Sequence, residues 1–123
     1  MTDRELLEAA AKAAGMTLTW GEKYKLGDDI IDCTDIPYAK SNQTDESDMN
    51  WNPLTDDGDA LRLAVKLQLH VGINPGNKVF CTPTYSDKPT VFESCERSGV
   101  QDPLAATRRA IVRAAAEIGR NMA

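Results

Sequence analysis

Asp102-Pro103-Leu104-Ala105-Ala106-Thr107-Arg108-Arg109-Ala110-Ile111-Val112-Arg113-Ala114-Ala115-Ala116-Glu117-Ile118-Gly119-Arg120 carries the plainest structural instruction in this chain. Asp102 is a helix cap, and Pro103 sits at the first helical position, where its missing N–H costs nothing. Leu104, Ile111, Ala115, Ile118 and Met122 then recur at three- and four-residue steps and predict one apolar face. Arg109, Arg113 and Arg120 fall on the watery side of that helix, whereas Arg108 falls on the apolar stripe. An arginine there needs a carboxylate partner, and Asp56, Asp57 or Asp59 is expected to supply it.

Those aspartates open a second helix, in the run Trp51-Asn52-Pro53-Leu54-Thr55-Asp56-Asp57-Gly58-Asp59-Ala60-Leu61-Arg62-Leu63-Ala64-Val65-Lys66-Leu67. Thr55 reads as its cap and the three aspartates as its first turn, suited to the positive end of the helix dipole. Its buried face is expected to draw on Leu61, Ala64, Val65 and Leu67. A third helix opens the chain, with Thr2 and Glu5 as a capping box and Gly15 as its stop.

Between the helices the period changes to two. Met16-Thr17-Leu18-Thr19-Trp20 alternates, and Gly27-Asp28-Asp29 leads into Ile30-Ile31. Leu69 to Ile73, Lys78 to Thr82 and Thr90 to Glu96 form three strand-like runs parted by turn residues, which predicts an antiparallel meander. The span 34–50 is so polar that a mobile loop is expected there. The whole, residues 1–123, reads as a single α+β domain, an antiparallel sheet whose amphipathic helices need a sheet face to cover.

The two long helix-opening segments and the Met1-to-Gly15 helix resemble small bacteriophage and prophage proteins of the phage ABA sandwich domain family. The likeness covers about half of the residues, mostly in helices. It implies helices on both faces of the sheet, an α-β-α sandwich. It brings no established chemistry with it, and implies a phage-encoded accessory protein working in the host cytoplasm on a host or phage factor.

Composition narrows the function further. With 14 basic and 19 acidic residues the net charge is -5. Between Asp28 and Asp59 ten acids face the single base Lys40, while from Arg97 onward five arginines face Asp102 and Glu117. One basic helix face is too small a stripe for phosphate neutralisation, so nucleic acid is not expected as a partner. No apolar run approaches the ~20 residues of a spanning helix, so no membrane is expected. Three cysteines without a C-x-x-C pair point to free thiols and a reducing, cytoplasmic setting.

Candidate chemistry is sparse. Asp56, Asp57 and Asp59 lack the glycine and distal glutamate of a calcium loop, so capping explains them and no metal or cofactor is expected. His70 would have to meet Cys33, Cys81 or Cys95 to form a zinc site or a nucleophile pair, and no ligand spacing supports either. Trp51 and Asn52 sit just before a helix, where the tryptophan acts as a staple or, with Trp20, as part of a binding edge. Three readings follow. The first is a non-catalytic module that binds a protein partner, compatible with a homo-oligomer. The second is a binder of a nucleotide-like signal, with Arg108, Arg109 and Arg113 on phosphates and Trp20 or Trp51 on the base. The third is a small metal-dependent hydrolase.

Overall fold

The computed structural model describes residues 2–41, 49–74, 78–83, 90–94 and 102–122. Helix α1 spans Asp3–Ala13, and its cap Thr2 accepts the Glu5 N–H at 3.2 Å, as the capping box predicts. Strand β1 (Met16–Trp20) follows, then β2 (Lys23–Leu26) and β3 (Asp29–Asp32), joined by a two-residue turn. Gly27 has φ 65° while Asp28 does not cross into positive φ, the pattern that suits a twisted hairpin. This hairpin stands out from the body: all four residues of β2 are exposed, and Ile30 is 72 % exposed.

The stretch expected to be one loop contains two strands, β4 (Pro37–Ser41) and β5 (Met49–Asn50). β4 lies between β1 and β5, antiparallel to both, with Trp20 opposite Pro37 and Leu18 opposite Ala39. Pro37 and Ala39 are buried while Lys40 is exposed, an alternation too short to stand out beside the polar residues that follow it. Pro37 is tolerated because it is the first residue of its strand. The most polar part, residues 42–48, lies outside the described residues.

Helix α2 covers Asp57–Leu67 and is capped by Asp56, whose carboxylate accepts the Asp59 N–H at 2.8 Å. Thr55 is therefore not the cap. Its hydroxyl donates to the Asn52 carbonyl one turn earlier. The buried face of α2 is Asp59, Ala60, Leu63 and Ala64, so Leu61 and Val65 turn outward. The physical reason is Asp59: its carboxylate must reach the Asn52 N–H, and this fixes the rotation of the helix. The helix ends on Gln68 in the left-handed conformation.

β6 (Leu69–Asn74), β7 (Lys78–Pro83) and β8 (Val91–Ser94) form the expected antiparallel meander, with Val71 opposite Cys81 and Ile73 opposite Val79. Helix α3 (Pro103–Arg120) lies on all three of these strands and also touches α1 and α2. It begins as expected, the Asp102 carboxylate accepting the Leu104 N–H at 3.0 Å. Its burial is wider than a single stripe. Ala106, Ala110, Ile111, Val112, Ala114, Ala115, Ala116 and Gly119 are buried, whereas Leu104 and Met122 are exposed. Thin side chains on most sides suit a helix with neighbours on most sides, and only the tips of the predicted stripe escape cover.

The closest helix contact is between α1 and α3. A side chain at Gly119 would collide with the backbone carbonyl of Ala9, so only glycine allows this crossing. Helices α1 and α3 both pack against strands, which makes the chain an α+β protein with short antiparallel sheets. No helix among the described residues is long and apolar enough to cross a membrane.

Candidate binding groove

Where α2 and the N-terminal half of α3 diverge above β6, they leave an open groove of about 400 Å³. Its walls are Leu61 and Ala64 of α2, Val71 and Ile73 of β6, and Leu104 and Ile111 of α3, with Asp57, Thr107 and Arg108 at the polar margin. The volume lies within the range of roughly 300–1,000 Å³ that small binding sites occupy. Three of its wall residues are large aliphatics left mostly in water: Leu61 at 65 %, Ile73 at 67 % and Leu104 at 59 % exposure.

Arg108 closes one end. Its Nη1 donates to Asp57 Oδ1 at 2.6 Å and its Nε to the Leu54 carbonyl at 2.9 Å. The pairing expected from sequence is therefore present, and it ties α3 to the entry of α2. The side chain of Arg108 is only 16 % exposed, whereas that of Asp57 is 63 % exposed, so the pair is screened from one side.

The other predicted residues separate into different places. Arg109 turns to the opposite helix and donates to Asp3 Oδ1 at 3.0 Å, because neighbouring side chains leave a helix about 100° apart. Arg113 is half-buried further along α3. Trp20 donates its indole N–H to Glu8 Oε1 at 3.0 Å, and the Arg4 guanidinium stacks 4.2 Å from its ring centroid. Trp51 is buried in the core and not on a surface. The Asn52 side chain accepts the Leu54 N–H at 3.0 Å, a local turn before α2. These residues do not converge on a phosphate and a base.

The aspartates of α2 are each engaged by protein groups. Asp56 caps the helix, Asp57 holds Arg108, and Asp59 accepts from the Asn52 N–H at 3.0 Å and from Arg62 at 2.7 Å. Among the described residues no cluster of three or more His, Cys, Asp or Glu is arranged to hold a metal ion. His70 and Cys81 occupy opposite faces of the meander, since His70 pairs with Thr82 and Cys81 with Val71. They cannot form a nucleophile pair. Burial pushes the Cys81 thiol up to about 11, which removes it as a thiolate near neutral pH. Cys33 is a free, half-buried thiol, and Cys95 lies outside the described residues.

Sequence reasoning missed the groove. Leu61 is expected in the core from its spacing, but Ala60 and Leu63 fill that place and leave Leu61 on the groove wall. Comparison with protein families, with curated proteins and with solved structures finds nothing that matches this chain.

Proposed function

We propose that this protein is a non-catalytic protein-binding module, encoded by a phage or prophage, whose α2–α3–β6 groove receives a segment of a host or phage protein. The observation that carries the reading is the row of exposed aliphatic walls, Leu61, Ile73 and Leu104, around a groove closed at one end by the Arg108–Asp57 pair. An amphipathic helix with two or three aliphatic side chains on one face matches that lining, which has neither an aromatic stacking surface nor a row of charges. The nucleotide reading is less favoured because Arg108 and Arg109 are held by different helices.

The test is site-specific photo-crosslinking in lysate of the source cells. A photoreactive residue at Leu104 should capture one discrete protein, and the same residue at Lys25 on the hairpin should not. Ile73→Asp should abolish capture with the melting temperature unchanged. Equal capture from both positions would sink the groove reading. A small molecule retained in native mass spectrometry, with no protein captured, would replace it.

A further inference from the structure

The Arg108–Asp57 pair that closes the groove is joined by a single arm. Nη1 of Arg108 donates to Oδ1 of Asp57, and Nε is taken by the Leu54 carbonyl. Among the described residues, Nη2 of Arg108 and Oδ2 of Asp57 make no hydrogen bond. Thr107 beside them has no spare donor, because its hydroxyl already donates to the Pro103 carbonyl at 2.7 Å. No unpartnered side-chain nitrogen or oxygen of the described buried and half-buried residues is sealed from solvent, so Nη2 is open to what enters. An occupant that covers this end must therefore bring an acceptor for Nη2, since a donor buried without one costs free energy.

The pair is neutral as a whole, and this selects the group. A carboxylate brought to Nη2 would lie beside the Asp57 carboxylate. An ammonium brought to Oδ2 would lie beside a guanidinium that, at 16 % exposure, is poorly screened. A neutral group that accepts on one atom and donates on the next meets neither repulsion. The primary carboxamide is such a group: its oxygen accepts from Nη2 while its NH2 donates to Oδ2. A hydroxyl has one oxygen for both tasks, and a peptide unit inside a helix has both of its groups engaged already. The bond to the Leu54 carbonyl holds the guanidinium in place before anything binds, which lowers the ordering cost.

We propose that the polar end of the groove is a carboxamide site, filled by the side chain of a glutamine or asparagine in the bound segment. Aliphatic side chains of the same segment rest on Leu61, Ile73 and Leu104. This inference rests on the groove reading and adds the polar group by which the groove chooses its partner. The apolar walls accept any aliphatic side chain that fits, so they supply affinity, and the donor and acceptor at the end supply orientation and identity. Glutamate in place of glutamine would set a second carboxylate against Oδ2, a mismatch that a site built from hydrogen bonds rejects.

Three probes with one branched carbon skeleton test it: 4-methylpentanamide, 4-methylpentanoate and 4-methylpentylamine. Each is titrated near neutral pH into protein with isotope-labelled leucine and isoleucine methyl groups, and binding is followed by NMR. The amide should move the Leu61, Ile73 and Leu104 methyls and bind about fivefold or more tighter than either ion, the worth of roughly one net hydrogen bond. Asp57→Asn keeps the shape of the pair and allows a donor where Oδ2 accepts, so the carboxylate should become the tightest of the three, with the fold intact in the same spectra. A wild-type protein that prefers the carboxylate or the amine overturns the proposal. So does an amide preference that survives Asp57→Asn, and so do probes that move none of the three methyls up to their solubility limits. Photo-crosslinking from Leu104 is independent of these outcomes and decides separately whether a protein segment fills the groove.

Discussion

Asp59 does more for this fold than its place in a helix suggests. It is the buried charged residue of the described core, 9 % exposed, and it accepts hydrogen bonds from the Asn52 backbone and from Arg62. Asp59→Ala leaves the Asn52 N–H without an acceptor, and should lower stability by about 2 kcal/mol in denaturant titration. Thr55→Ala should change it by less than about 0.5 kcal/mol, as expected of an exposed position that caps nothing. Equal losses from the two variants would restore Thr55 as the cap. The sequence showed where α2 begins to within one residue. It could not choose between Thr55 and Asp56, because both side chains make good caps and only the tertiary tie of Asp59 decides. Arg108 was legible for a different reason: a charge on an apolar stripe has few ways to be satisfied, and the nearest aspartates had to provide one.

The elements themselves were readable, and their rotations were not. A periodic pattern gives a helix its stripe only if one side of it is covered, and α3 is covered on most sides. Its alanines therefore carried more information than its leucine and methionine, which ended at the surface. The α1–α3 crossing depends on Gly119, and Gly119→Ala would drive a methyl group into the Ala9 carbonyl. A melting experiment should show a loss of about 1–3 kcal/mol, the range for overpacking a tight contact. A neutral result would mean that the helices can separate without penalty. At the end of α2, Gln68 sits at φ 53° and ψ 49°, a conformation that glycine adopts more easily. Gln68→Gly is expected to stabilise by up to about 1 kcal/mol, the cost of holding a side chain in the left-handed region. Destabilisation would show that the Gln68 side chain contributes a contact of its own.

At the scale of the whole molecule, fold class came through because helical and alternating periods are separated along the chain. β4 did not, because its five residues run straight into the polar stretch that follows. The groove was invisible for a related reason: it exists only where α2, β6 and α3 diverge, and no local pattern encodes divergence. The buried Cys81 gives the molecule a global pH response. Its thiol is raised by burial from the ordinary 9.0 to about 11, so the folded state holds this proton more tightly than the unfolded chain. The associated stability is complete below pH 9 and falls as pH rises from 9 to 11, by roughly 2–3 kcal/mol in all. Lysines and tyrosines titrate in the same window, so the quantity to measure is the difference between wild type and Cys81→Ala. No difference in slope would mean that the thiol is solvated in the native state.

The same thiol makes the protein its own stopwatch. Cys81 is 0 % exposed, on the strand that α3 covers, so an alkylating reagent can meet it only while the meander and α3 are apart. Its labelling rate, followed by peptide mass mapping at fixed pH, thus counts the openings of the core without any dye or engineered probe. Half-buried Cys33, just after β3, serves as the internal standard for reagent strength.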